Sequence, residues 1–127
     1  MKFSEQKGDL GYRIVGYGSG WLELQQGGER QRITESLVIT PDQLLLPWPV
    51  ATVAALQPDH LIPIVALEPA LLLLGSGERL HFPTAAQLAP LLQAGIGCEV
   101  MDSAAACRTF NLLAAEGRAV AAALLVA

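Results

Sequence analysis

Short runs of alternating hydrophobic and polar residues fill the chain up to about residue 40, and longer apolar runs separated by amphipathic stretches follow. Arg13-Ile14-Val15-Gly16-Tyr17 and Trp21-Leu22-Glu23-Leu24-Gln25 are β-prone. In the second run Leu22 and Leu24 alternate with Glu23, which gives a strand one dry face and one wet face. Gly18-Ser19-Gly20 between the runs supplies residues free to take positive φ, and Gln26-Gly27-Gly28-Glu29 marks the next turn. Leu37-Val38-Ile39-Thr40, stopped by Pro41-Asp42, is predicted as the third strand of an antiparallel meander. Leu44-Leu45-Leu46 is a short strand ended by Pro47-Trp48-Pro49, whose prolines hold Trp48 in an extended segment. Trp48 has two readings, a plug at the edge of the core, the commoner fate of tryptophan, or an anchor for a partner.

From Pro58 the period changes. Asp59 is placed to cap a short helix through His60, Leu61, Ile62 and Val65, with Pro63 in its first turns. Ala70-Leu71-Leu72-Leu73-Leu74 has no polar residue and fits a central strand covered on both faces, ended by Gly75-Ser76-Gly77. Leu80-His81-Phe82 is a short extended piece, and Pro83-Thr84 starts a helix with Ala85, Leu88, Leu91 and Leu92 on one side. Pro90 is expected to kink it, and Gly95 to end it. A strand follows over Ile96 to Met101. Ser103 then caps a helix whose Ala106, Cys107, Phe110, Leu113 and Ala114 share one arc and face the sheet, while Arg108 and Asn111 share another. Gly117 ends it before an apolar strand from Val120 to Val126. This order predicts a single α/β domain over residues 1–127. It has three layers, a central mixed sheet of about five strands with flanking helices, a β-rich part over 1–48 and an alternating part over 58–127.

Composition narrows the class. Of the 127 residues 52% are hydrophobic and 16% charged, against roughly 25% charged in an average domain, which leaves apolar surface for a partner or a homo-oligomer. Eight Lys and Arg against twelve Asp and Glu give a net charge of −4, with no basic run for nucleic acid. The N-terminus lacks the apolar core of a secretory signal, and prolines interrupt the apolar stretch from Leu44 to Gly75 before it reaches membrane-spanning length. A cytoplasmic location without membrane insertion is the expectation.

Candidate chemistry is sparse. Gly75-Ser76-Gly77 follows a strand as a phosphate loop would, but Leu80 stands where a third glycine belongs and no lysine motif follows, so a plain turn is favoured. The Met101-Asp102-Ser103 turn sets free N–H groups at a helix start, with Arg108 and Asn111 one to two turns along. A carboxylate or phosphate would fit there. The favoured alternative is a structural network, with Asp102 paired to Arg108 and Asn111 tying down a neighbouring loop. Cys98 and Cys107 make no disulfide framework or metal pair, and the position of Cys107 on the apolar arc favours an inert core thiol. Nothing fixes His60 or His81 beside a nucleophile, so no catalytic residue, metal or cofactor is assigned.

Several pieces resemble one known family. They are LLLLGSG at 71–77, RLHFP at 79–83, GIGCEVMDSAAACRTFN at 95–111, LLAAEGRAVAAALL at 112–125 and, further upstream, LLPW at 45–48. Together they resemble a family of small uncharacterised α/β domains, widespread in bacteria and archaea, that includes the mitochondrial respiratory complex I assembly factor three. Ser103 stands where threonine is expected and Phe110 where tyrosine is common. The resemblance implies a three-layered fold around a mixed five-stranded sheet and a role in binding proteins. The favoured function is therefore a non-enzymatic interaction module, an assembly or accessory factor with an unidentified protein partner. The alternative is a small-molecule or anion-binding domain, or a cryptic enzyme, using Asp102, Ser103, Arg108 and Asn111 bordered by Gly75 and Gly77.

Overall fold

The structure, a computed structural model, describes residues 11–126 and the backbone pairing of Ser4 and Glu5. The run of four leucines does become a strand buried on both faces. In β7 (Leu71–Gly75), Leu72, Leu73 and Leu74 are all at most 1% exposed. It lies parallel to β8 (Gly97–Met101) on one side and to β9 (Val120–Leu124) on the other. β5 (Leu37–Ile39) runs antiparallel to β9, β6 (Gln43–Leu45) pairs with β5, and the two-residue β1 (Ser4–Glu5) extends that edge. The order β1-β6-β5-β9-β7-β8 is the predicted mixed sheet.

Alternation along these strands sorts side chains into two cores. Leu73, Ala122 and Leu124 pack with Tyr12, Ile14, Leu22 and Leu24 and with Ala106, Cys107 and Phe110 of α3 (Ser103–Ala115). Leu72, Leu74, Ala121 and Ala123 point the other way, onto Trp48, Val50, Leu56, Leu61, Ile64 and Leu91. Successive strand residues face opposite sides, so the sheet is the middle of three layers.

A separate meander covers α3. It consists of β2 (Tyr12–Gly18), β3 (Trp21–Gln26) and β4 (Glu29–Ile33), paired antiparallel in that order. The predicted third meander strand, Leu37 to Thr40, belongs instead to the central sheet. β4 reads Glu-Arg-Gln-Arg-Ile with four of five residues exposed. Such a strand carries no hydrophobic period to announce it, because it pairs through backbone and buries only Ile33.

Helix starts differ from expectation in three places. Gln57, not Asp59, precedes the 3-10 turn Pro58–Leu61, and its backbone N–H donates to Nδ1 of His60. That turn runs into α1 (Ile62–Val65). Thr84 and Gln87 bond reciprocally, but only as a turn. The helix α2 (Ala89–Ala94) begins at Ala89, so Pro90 starts it rather than kinking it. Only Leu91 of this short helix is buried, and Leu92 is exposed. Asp102, not Ser103, caps α3, accepting from the Ala105 N–H at 2.8 Å. Gly95 and Gly117 end their helices with positive φ, as predicted. No helix among the described residues is long and apolar enough to cross a membrane.

Candidate functional site

The chain leaves β7 toward α2 on the Trp48 face and leaves β8 toward α3 on the meander face. Adjacent parallel strands whose connections depart to opposite faces open a crevice at their carboxyl ends. Gly75-Ser76-Gly77 and Met101-Asp102-Ser103 meet there, as the candidate site requires. Their polar groups satisfy one another. Ser76 N–H donates to the Met101 carbonyl at 2.8 Å, Ser103 N–H to the Gly77 carbonyl at 2.8 Å, and Gly77 N–H to Ser103 Oγ at 2.9 Å. Ser103 Oγ in turn donates to the Leu125 carbonyl at 2.7 Å. The hydroxyl thus joins both turns to the end of β9, and a threonine at that position would keep the bonding atom.

Both glycines are needed where they stand. A Cβ on Gly75 would lie 2.9 Å from Ser103 Oγ and 3.0 Å from Ser103 Cα, so α3 approaches β7 this closely only over a glycine. Gly77 has a φ of 106°, outside the reach of most side-chain-bearing residues.

Arg108 and Asn111 do not join this cluster. Arg108 is exposed and its Nη1 donates to the Tyr17 hydroxyl at 2.8 Å, while Asp102 spends its carboxylate on the helix cap. The expected Asp102–Arg108 pair is therefore replaced by two separate contacts. Asn111 receives the Ile14 N–H on Oδ1 at 3.1 Å and donates Nδ2–H to the Ile14 carbonyl at 2.6 Å. It acts as a one-residue strand partner for β2, beside the bulge between Ile14 and Gly16. Asn111 thus ties a neighbouring element as the network reading holds, though that element is a strand rather than a loop.

Trp48 lies in the core rather than on the surface. It is 1% exposed, and its indole N–H donates to the His60 carbonyl at 3.1 Å. The prolines on either side hold it inward, so no face of the ring is free to anchor a partner.

The cysteines are poor nucleophiles. Burial pushes the Cys107 thiol up to about 12, with Arg108 opposing and Asp102 reinforcing the shift, and burial with Glu99 pushes Cys98 up to about 11. At neutral pH both thiols are expected to react slowly with an alkylating reagent in the folded protein and quickly in denaturant. The folded state holds protons that the unfolded chain releases near 9, the ordinary thiol value. Stability from these groups is therefore complete below pH 9 and lost as pH rises through about 11 to 12. Melting temperature against pH, with Cys107→Ser as the flatter control, checks the sign.

Two openings flank the Gly77–Glu78 segment. A cavity of about 170 Å³ lies between the meander and α3, lined by Tyr17, Trp21, Ser103, Ala104 and Cys107 among others. On the opposite side a groove of about 700 Å³ runs past Thr52, Val53, Ala54, Phe82 and Gln87. Phe82 is 71% exposed and Leu80 50%. Both sit in a loop, in the stretch read from the sequence as a short extended piece. A signal for this surface was present in the sequence, since two large apolar residues stand between Gly77 and Pro83 outside any periodic element.

The family model for a protein of unknown function, DUF498/DUF598, matches residues 14–125. A crystal structure of a Bordetella parapertussis protein is 35% identical, superposes with a TM-score of 0.84 and covers 95% of this chain and 100% of its own. A Xanthomonas campestris protein solved by NMR is 42% identical, with a TM-score of 0.80 over 93% of this chain and 86% of its own. The zebrafish (Danio rerio) NADH dehydrogenase [ubiquinone] 1 alpha subcomplex assembly factor 3 is 39% identical over 83 residues, which is 64% of this chain. The match spans about half (48%) of that relative's length.

Proposed function

This chain belongs to the DUF498/DUF598 family, and we propose that it is a protein-interaction module, an accessory factor that works by holding another protein rather than by catalysis. The observation that carries the reading is the Phe82 groove. Phe82 is 71% exposed and lines a groove with the volume to take partner side chains, and Leu80, two residues before it, adds apolar surface to the same loop. The similarity to an assembly factor points the same way. The helix-start alternative is weaker, because Gly77, Ser103 and Ala105 already direct their N–H groups to internal acceptors and Arg108 turns to Tyr17.

Leu80→Ser combined with Phe82→Ser tests the surface. Both side chains are exposed, so stability is expected to stay within about 0.5 kcal/mol of wild type. A protein that co-purifies reproducibly with the wild-type chain from its host is expected to be lost from the double variant. Retention of the same partner by a folded double variant would remove the groove from the account.

A further inference from the structure

The outer face of the meander concentrates positive charge on a chain whose net charge is −4. Leu22 and Leu24 of β3 point into the core, so Trp21, Glu23 and Gln25 point out. Register sets Arg13 and Arg30 on either side of Gln25, and Arg32 beside Glu23. Three arginines thus share a face with one carboxylate, a local balance of +2 from three less one. Glu29 falls on the opposite face, in register with Gln26.

Arg30 and Arg32 are held in place. The Arg32 guanidinium carbon lies 4.1 Å from the centre of the Trp21 ring. A Cβ on Gly18 would come within 2.5 Å of the Trp21 indole nitrogen, so the indole rests against Gly18 backbone. Glu23 reaches Arg30 at 3.7 Å and Arg32 at 3.9 Å, with the arginine side chains 65% and 59% exposed. One carboxylate shared between two exposed guanidinium groups leaves positive charge unmatched.

The two sides of the meander are not alike. Asn111 already occupies the backbone of Ile14 on β2. β4 ends the sheet order at the other side, with β3 its only strand partner among the described residues. A second copy of β4 is a poor partner. Antiparallel self-pairing centred on Gln31 would set Arg30 against Arg32 in both directions, and like charges directly opposed are destabilising.

We propose that the β4 edge takes an extended acidic segment of a partner protein, which adds as a strand and sets alternate carboxylates against Arg30 and Arg32. The spacing fits, because alternate residues of any strand lie about 6.6–6.8 Å apart, the same separation on both sides of the pair. The inference deepens the protein-binding reading and rests on it, but names a different surface from the Phe82 groove.

The test uses the whole chain and a labelled synthetic peptide carrying glutamate at alternate positions between threonine and valine. Fluorescence anisotropy and Trp21 emission are followed together. Saturable binding is expected, weakening as salt is raised, and falling on the order of tenfold or more in R30E/R32E. Methylation of the peptide's backbone nitrogens should weaken binding similarly, because it removes the donors a strand ladder needs while leaving the carboxylates in place. Circular dichroism and melting of R30E/R32E are expected to match wild type, so loss of binding is not loss of fold. Equal binding by R30E/R32E, or no binding at low salt, would overturn the proposal. So would binding to vesicles containing anionic lipid without binding to the peptide, which would assign the face to a membrane surface. If the peptide fails while the Phe82-dependent partner is still captured, the edge proposal alone falls.

Discussion

Trp48→Ala is expected to destabilise the protein by about 3–5 kcal/mol, the range for removing a large aromatic from a core. The ring fills the layer between the sheet and the helical turns, against Val50, Leu56, Leu61 and Ile64, and is 1% exposed. Truncation opens a cavity and also leaves the His60 carbonyl without the indole donor it has at 3.1 Å. For a domain of this size the melting temperature should fall by roughly 10–20 °C. Trp48→Phe keeps most of the volume and loses only the donor, so its loss should be nearer 1–2 kcal/mol. Thermal and denaturant unfolding of both variants check the order. If Trp48 anchored a partner from the surface, the alanine variant would melt like wild type.

Asn111→Ala is the second large effect, at about 2–3 kcal/mol. The variant leaves both the N–H and the carbonyl of Ile14 without partners at a partly buried position, and each orphaned group costs about 1–3 kcal/mol when water cannot fully replace the bond. The loss should be local to the seam between β2 and α3, so amide exchange at Tyr12 to Gly16 should speed up before the central strands respond. Arg108→Ala, one helical turn away, supplies the contrast. Its contact with the Tyr17 hydroxyl is exposed, so its stability should change by less than about 1 kcal/mol. The two neighbours were indistinguishable by spacing. The structure separates a strand tie from a surface contact, and a denaturation curve for each variant reads the difference directly.

The central sheet was legible because burial on both faces leaves a plain mark. Leu71 to Leu74 and Val120 to Leu125 have no polar residue, and apolar runs this short fit strands covered on both faces. The arc of Ala106, Cys107 and Phe110 was legible for the same reason, since 3.6-residue periodicity reports which side of a helix is dry. What was hidden depends on partners distant in sequence. Glu29 to Ile33 is a strand because β3 offers it a ladder, not because its residues favour one. Leu37 to Ile39 reads as a hairpin strand locally, yet β9, more than eighty residues away, claims it.

The site divides in the same way. Gly75 and Gly77 were read as bordering Asp102 and Ser103, and the structure brings them together because β7 and β8 are adjacent and parallel, so their carboxyl ends converge. Whether their N–H groups were free was not readable. It depends on the Ser103 hydroxyl reaching both Gly77 and Leu125, across 26 and 22 residues. Two candidates for one function, Trp48 and Phe82, show the limit of composition. Both are aromatic and both stand near prolines, but packing buries one and exposes the other at 71%.

The most direct measurement places a photo-reactive phenylalanine analogue at position 82, and in a separate variant at position 112, in the chain expressed in its own host. Leu112 is exposed to 62% on α3, away from the groove, and so controls for chance encounters. The account predicts a discrete cross-linked protein adduct from position 82 on irradiation, absent from position 112. No adduct at 82, or the same adducts from both positions, would contradict the view that this chain works by docking a protein in the groove beside Phe82.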